Sequence, residues 1–221
     1  MSSQQSYLVI GGCGFLGRNI VEALLTRGEL QVAVFDLVQR HFDTNVQFFT
    51  GDISDEMAVS NVIQKVCLRT LVSQLNLQTN GFTQTQATSI FHTASPVPGS
   101  AKQELYYKVN VEGTKAVIAA SLAHGVKYLV YTSSAGLVFD GQDAIDVDER
   151  LPPPDKAMDA YNNTKRIAEK LVIEANGKQG LKTVSLRPAG IFGYSCLGCI
   201  HVMKLISRSQ PRGPFDHCSI R

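Results

Sequence analysis

The chain lacks a strong charge of either sign: 21 Lys and Arg face 19 Asp and Glu, a formal net charge of +2. It has no basic stripe and no aromatic–basic interleaving, so nucleic acid is not indicated as a partner. No apolar run approaches the ~20 residues that a membrane-spanning helix needs, so no membrane span is expected. The opening residues 1–6, MSSQQS, carry neither a charged segment nor a hydrophobic stretch, so no secretory signal is expected. The five cysteines are irregularly spaced, which suggests a reducing compartment rather than a disulfide framework. Cys196 and Cys199, with His201, His217 and Cys218 beyond, have metal-like spacing, but no second Cys pair completes a zinc site and no metal is expected. What is present, 44% hydrophobic and 18% charged residues in 221, suits one α/β domain with a buried core.

The most specific pattern lies near the N-terminus. Ser6–Ile10 is a short apolar run of strand type, and Gly11-Gly12-Cys13-Gly14-Phe15-Leu16-Gly17 follows at once. Arg18–Arg27 then places apolar residues at helical spacing, with Gly28 as the stop. Strand, glycine turn and helix aim backbone N–H groups and a positive helix end at a pyrophosphate. Gly11 permits the tight turn, Gly14 lets the phosphate approach, and Gly17 allows helix and strand to pack closely. Gln31–Asp36 reads as the second strand, and its acid stands where the dinucleotide fingerprint expects one. Asp36 can accept from the adenosine ribose hydroxyls and would repel a 2′-phosphate, which favours NAD; Arg40 leaves some room for NADP.

Strands and helices alternate down the chain, as in a doubly wound parallel sheet with helices on both faces, the Rossmann type. Val46–Thr50 reads as the third strand, followed by Asp52, placed to meet the adenine amino group, and Ile53. Ser54 is expected to cap a helix running to about Lys65. Ser89–Ala94 is the fourth strand and its exit, with His92 read as structural or cofactor-lining rather than a proton shuttle. Lys102–His124 reads as one long helix with Val109, Val117, Ile118 and Leu122 on its apolar face, and Asn110 supports architecture. Val126–Thr132 is the fifth strand, with Ser133-Ser134-Ala135 at its carboxyl end, where open α/β sheets bind ligands. Thr183–Arg187 is the sixth, ending in Pro188.

Between the last two strands, Tyr161 and Lys165 stand one helical turn apart, on one face of a helix. A cation beside a phenol favours the phenolate, which lets a tyrosine serve as acid or base. Alone, Tyr-x-x-x-Lys is equally a solvated helix face; the glycine turn, Asp36 and the serine pair change that reading.

Taken together, Gly11–Gly17, Asp36, Tyr131-Thr-Ser-Ser-Ala135, Tyr161-Asn-Asn-Thr-Lys165 and Leu186-Arg-Pro-Ala-Gly-Ile-Phe-Gly193 resemble an extended short-chain dehydrogenase/reductase. Thr93-Ala-Ser-Pro96, Asn110-Val-Glu-Gly-Thr114 and Ser134-Ala-Gly-Leu-Val-Phe-Asp140 are most similar to its 3β-hydroxysteroid dehydrogenase/isomerase branch, nearest the decarboxylating sterol-4α-carboxylate 3-dehydrogenases. The resemblance covers about residues 6–65 and 88–193. It implies Tyr161 as general acid/base, Lys165 as the group that lowers the Tyr161 pKa and holds the nicotinamide ribose, and Ser134 as ligand of the substrate hydroxyl, ahead of Ser133. It also implies a cofactor site drawn from Gly11, Gly14, Phe15, Leu16, Gly17, Asp36, Asp52, Ile53, Thr93, Ala94, Lys165 and Pro188. The implied activity is NAD-dependent oxidation of a 3β-hydroxysterol, with decarboxylation where C4 carries a carboxylate. The implied setting is intracellular, in the cytoplasm or on the cytosolic face of the endoplasmic reticulum. A homodimer built on the long helices remains open.

Two stretches depart from the resemblance. Residues 66–87 are rich in Gln and Thr and longer than ordinary connections, and they read as an inserted surface loop. Residues 194–221 read as an atypical tail in place of the substrate domain, which leaves 1–193 as the NAD(P)-binding domain. Both stretches have the look of a retained intron or shifted frame. Three functions therefore compete: the sterol dehydrogenase, another enzyme on this scaffold (a UDP-sugar epimerase or dihydroflavonol-type reductase), and a truncated dinucleotide-binding protein that binds NAD with little sterol turnover.

Overall fold

The computed structural model describes residues 5–40, 45–78, 88–141 and 148–193. Six parallel strands run in the order β3-β2-β1-β4-β5-β6, with β1 Ser6–Ile10, β2 Gln31–Asp36, β3 Gln47–Thr50, β4 Thr88–His92, β5 Tyr128–Thr132 and β6 Lys182–Leu186. This is the doubly wound Rossmann architecture. The strands leave β1 leftward and resume at β4 on its right, so a crevice opens where Ile10 pairs with His92.

Burial on both faces explains why β1 and β2 are apolar almost throughout. On one face Tyr7, Val9, Val32 and Val34 meet Val21 and Leu24 of helix α1, Phe15–Thr26. On the other, Leu8, Ile10, Ala33 and Ile90 pack against α2, Glu56–Gln78, and α4, Gly113–Ala123. Each such side chain contributes about 1.5–3 kcal/mol of transfer free energy.

Several boundaries differ from the sequence expectation. Helix α1 begins at Phe15 rather than Arg18, directly on the glycine turn, and Gly28 at φ 80° ends it as expected. Helix α2 is capped by Asp55 rather than Ser54: the Asp55 carboxylate accepts from the N–H groups of Met57 and Ala58. It also continues to Gln78, so residues 66–78 are helical where a loop was expected, and Val66 and Cys67 belong to the core. Residues 79–87 lie outside the described residues. The expected long helix is three pieces: α3, Gln103–Tyr106, a π-helical segment Tyr107–Glu112, and α4. Helix α5, Ala160–Ala175, starts at Asp159, whose carboxylate accepts from the Asn162 N–H.

Residues 1–189 form one compact unit. Residues 190–221 form a second, of which only 190–193 are described. The expected tail, with Cys196, Cys199, His201, His217 and Cys218, therefore lies outside the described residues.

Candidate active site

At the β1 exit, the functional surface is made by leaving side chains out. Gly11 has φ 81°, a conformation that L residues rarely adopt, and a methyl there would lie 2.6 Å from the Ala94 nitrogen. A methyl on Gly17 would lie 2.2 Å from the Gly11 carbonyl oxygen, so only glycine lets α1 sit this close to the strand. Gly14 faces only that oxygen, at 3.3 Å, and leaves its outer side open. Gly14 is also the helix cap and supplies no side-chain acceptor, and the first turn of α1 holds no acid. The first-turn N–H groups of Phe15, Leu16 and Gly17 thus have no intrahelical partner and point toward an anion site. The residues present fit a dinucleotide pyrophosphate.

A cleft of about 400 Å³ runs from this turn along the strand ends. Of the expected cofactor residues it is lined by Gly11, Gly14, Asp36, Asp52, Ile53, Thr93 and Ala94; Phe15, Leu16, Gly17, Lys165 and Pro188 are not among its walls. Asp36 ends β2 with both carboxylate oxygens oriented by backbone, accepting from the Cys13 N–H at 2.8 Å and the Leu37 N–H at 2.7 Å. Arg40 lines the same cleft. Asp52 accepts from the Ser54 N–H and has the Lys108 ammonium 3.6 Å away. Desolvation raises its pKa, but these two partners outweigh it and hold the carboxyl below its usual value. Thr93 fastens the turn, its hydroxyl donating to the Ile10 carbonyl at 2.9 Å. Pro188 instead accepts from the Ala135 N–H at 2.9 Å, fixing the turn that carries Ser134.

Beyond β4 the site is built from buried polar side chains. Tyr161 is half-buried on α5, and Lys165 one turn on is buried. The Lys165 ammonium donates to the Thr132 carbonyl at 2.7 Å and lies over the Tyr131 ring, 4.8 Å from its centre. Burial pushes its pKa down to about 7, with Glu169 one further turn along pulling it back up. The hydroxyls of Ser95 and Ser134 face the Tyr161 oxygen and favour its ionised form. Burial is the larger effect, and the phenol lies above its ordinary pKa. The expected lowering by Lys165 is therefore not seen: desolvation dominates, and the Lys165 ammonium donates to the Thr132 carbonyl rather than to the phenol. The two serines differ in their surroundings. Ser133 is buried with its hydroxyl beside Glu169, whereas Ser134 faces Tyr161 and caps the following turn by accepting from the Gly136 N–H.

Around this centre, Ser95 donates to Asn110 at 2.9 Å and Asn110 donates to Thr164 at 3.1 Å, tying the cleft wall, the π-helical segment and α5 together. His92 is fully buried against Thr114 and Tyr131, and desolvation first, then Lys165, push its pKa down to about 3. It is neutral and structural at physiological pH. Glu169 accepts from Arg187, at 2.6 Å, and from Ser185, joining α5 to the end of β6. Motif reading gave no role to Ser95, although it lies within Thr93–Pro96, and none to Tyr106, Gly12 or Glu169.

The sequence profile of the 3-beta hydroxysteroid dehydrogenase/isomerase family matches residues 8–211. The chain belongs to that family. Among similar proteins, the Candida albicans sterol-4-alpha-carboxylate 3-dehydrogenase ERG26, decarboxylating, is 41% identical over 86% of this chain and 52% of its own length. The human sterol-4-alpha-carboxylate 3-dehydrogenase, decarboxylating, is 38% identical over 84% of this chain and 44% of its own. The chain thus spans about half the length of the curated relatives it matches. Among solved structures, the Thermus thermophilus UDP-glucose 4-epimerase complex with NAD superposes with a TM-score of 0.63 and 29% identity, covering 83% of this chain and 54% of that one. The Bordetella bronchiseptica enzyme WbmH in complex with NAD+ superposes with a TM-score of 0.71 at 22% identity, covering 93% of this chain and 64% of that one, a likeness of fold.

Proposed function

We propose that this chain carries the cofactor-binding and proton-transfer machinery of NAD-dependent 3β-hydroxysterol oxidation, acting on a 4α-carboxysterol. The observation that carries the reading is the placement of Tyr161 one helical turn from buried Lys165, whose ammonium donates to the Thr132 carbonyl at the strand end that leads to Ser134; the Ser134 hydroxyl favours ionisation at the Tyr161 oxygen. Ser95, which also faces that oxygen, lines the dinucleotide cleft and so links it to the phenol. The names of the relatives support the substrate class.

An oxidised nicotinamide, when bound, supplies the hydride acceptor. Ser134 orients the substrate's C3 hydroxyl, and Tyr161 takes its proton as the hydride leaves C3, so the alcohol becomes a ketone. Lys165 holds the nicotinamide ribose while bracing the end of β5 through Thr132. With a carboxylate on C4 the product is a β-keto acid. Its C4–carboxyl bond breaks, the electron pair passes into the ketone, carbon dioxide leaves, and the enolate regains a proton without a further catalytic group. The Asp36 carboxylate, held at the end of β2, favours two free ribose hydroxyls over a 2′-phosphate and therefore NAD over NADP. A lipid substrate suits work at the cytosolic face of the endoplasmic reticulum; no described helix is long and apolar enough to cross a membrane.

The test is NADH absorbance on mixing the chain with NAD and a 4α-carboxy-3β-hydroxysterol. Sterol-dependent NADH is expected. A second reading, an epimerase, is favoured by the Thermus likeness, and turnover of a UDP-sugar with no sterol-dependent NADH would replace the first reading with it.

A further inference from the structure

Tyr106 closes α3 and is buried, 3% exposed. Its ring meets the Tyr161 ring edge-on, with centres 5.7 Å apart and planes at 74°. Its hydroxyl makes three hydrogen bonds within one short turn: it accepts from the N–H groups of Ser100 at 3.1 Å and Ala101 at 3.2 Å, and donates to the Val97 carbonyl at 2.8 Å. That turn contains Gly99 at φ 73° and is closed further by the Ser100 hydroxyl donating to Val97. It follows directly on Ser95 and Pro96, which line the cofactor cleft. Val97, at its start, is 67% exposed, an apolar side chain held out beside the site. A tyrosine fully satisfied by backbone on one side and packed against a functional phenol on the other is more than filler. Leu or Phe would fill the same space without fastening the turn.

We propose that Tyr106 is a positioning residue for Tyr161: its ring fixes the orientation of the Tyr161 ring, and its hydroxyl holds the Val97–Ala101 turn as a rigid apolar wall for the substrate. The two functions belong to different atoms and separate by substitution. Tyr106→Phe keeps the ring and releases the turn; Tyr106→Leu removes both. This inference rests on Tyr161 as the acid/base, and Tyr161→Phe tests that reading by itself.

The experiment compares wild type, Tyr106→Phe and Tyr106→Leu by sterol-dependent NADH kinetics, NAD binding and ring-labelled tyrosine NMR, with the Tyr161 signal assigned through Tyr161→Phe. In Tyr106→Phe the KM for sterol rises about tenfold with kcat held, since ground-state contact is lost while the phenol stays in place. In Tyr106→Leu kcat falls about 10- to 100-fold, the scale of a reacting group displaced by an ångström. In the same variant the Tyr161 ring signals collapse to a freely flipping average, and NAD affinity stays unchanged in both variants. The NMR readout needs no turnover. A Tyr106→Leu chain that binds NAD and keeps the wild-type Tyr161 ring signals overturns the proposal. A Tyr161→Phe chain with undiminished turnover sinks the acid/base reading instead, even where the ring signals respond to Tyr106.

Discussion

On the β3–β2–β1 side of the sheet the candidate functional atoms are backbone, and the sequence contributes mainly by omission. Gly11 and Gly17 are spaces that a methyl would fill, Gly14 is a cap without an acceptor, and Asp36 is the one charge oriented by that turn. On the β4–β5–β6 side the candidate functional atoms are side chains, half-buried at Tyr161 and Ser134 and buried at Lys165. Lys165, His92, Asn110 and Glu169 are each nearly inaccessible; Lys165 bonds the backbone at Thr132, and the other three bond the side chains of Thr114, Thr164 and Arg187. A cofactor's pyrophosphate is recognised by generic N–H groups, so shape suffices there. Proton transfer needs a particular oxygen at a particular protonation cost, and the second side accepts desolvation penalties to provide it.

The sharpest way to break this division is Tyr161→Phe. Turnover falls about 100- to 10,000-fold, the range for loss of a general acid/base, while NAD affinity measured by calorimetry stays the same. A parallel loss of NAD affinity would mean that the two sides are not separable. The converse change, Gly17→Ala, places a carbon 2.2 Å from the Gly11 oxygen. It should weaken NAD binding about tenfold or more and lower stability by about 1–3 kcal/mol, the cost of overpacking, as read by thermal unfolding. Asp36→Ala removes a negative charge facing any 2′-phosphate and frees the Cys13 N–H. The preference for NAD over NADP should drop about tenfold in paired binding titrations, with overall stability little changed.

A further effect concerns pH and belongs to the side-chain half. His92 is depressed from 6.5 to about 3 by burial, so the folded state binds fewer protons than the unfolded chain between those values. Its contribution is fully present above pH 6.5 and is lost as the pH falls toward 3, at up to about 1.4 kcal/mol per unit. Lys165 is depressed from 10.5 to about 7 and has the same sign at higher pH: stability rises as the pH climbs from 7 toward 10.5. Denaturant unfolding of His92→Gln against wild type across pH 4–7 checks the first; a slope unchanged by the substitution removes His92 from the account.

These contrasts also explain what could be read from the chain. The glycine turn, Asp36 and the six strands are local signals, and they fall where the alternation of apolar runs placed them. Helix α2 was under-read. Val59, Val62, Ile63, Val66 and Cys67 keep helical spacing past Lys65, but the Gln- and Thr-rich composition that follows hides it. The π-helical turn at Tyr107–Glu112 shifts the buried face by a residue, but Asn110, Gly113 and Thr114, which it buries along with Val111, are polar or small, so apolar periodicity does not register the shift. Tyr161, Lys165 and Ser134 stand out in the chain through their wording. Ser95 and Tyr106 do not, because only the folded sheet carries them from distant segments to the phenol. The direction of the Tyr161 pKa was misread for the same reason: a helix spacing shows the cation but not the burial.

The most direct test is single-turnover formation of NADH from NAD and a 4α-carboxy-3β-hydroxysterol at saturating sterol, with the unmodified chain and Tyr161→Phe side by side. The account predicts an NADH signal in the first that slows at least about 100-fold in the second, with both chains equally loaded with NAD. Equal NADH formation by the two chains, or none by either when fully loaded with NAD and sterol, would contradict it.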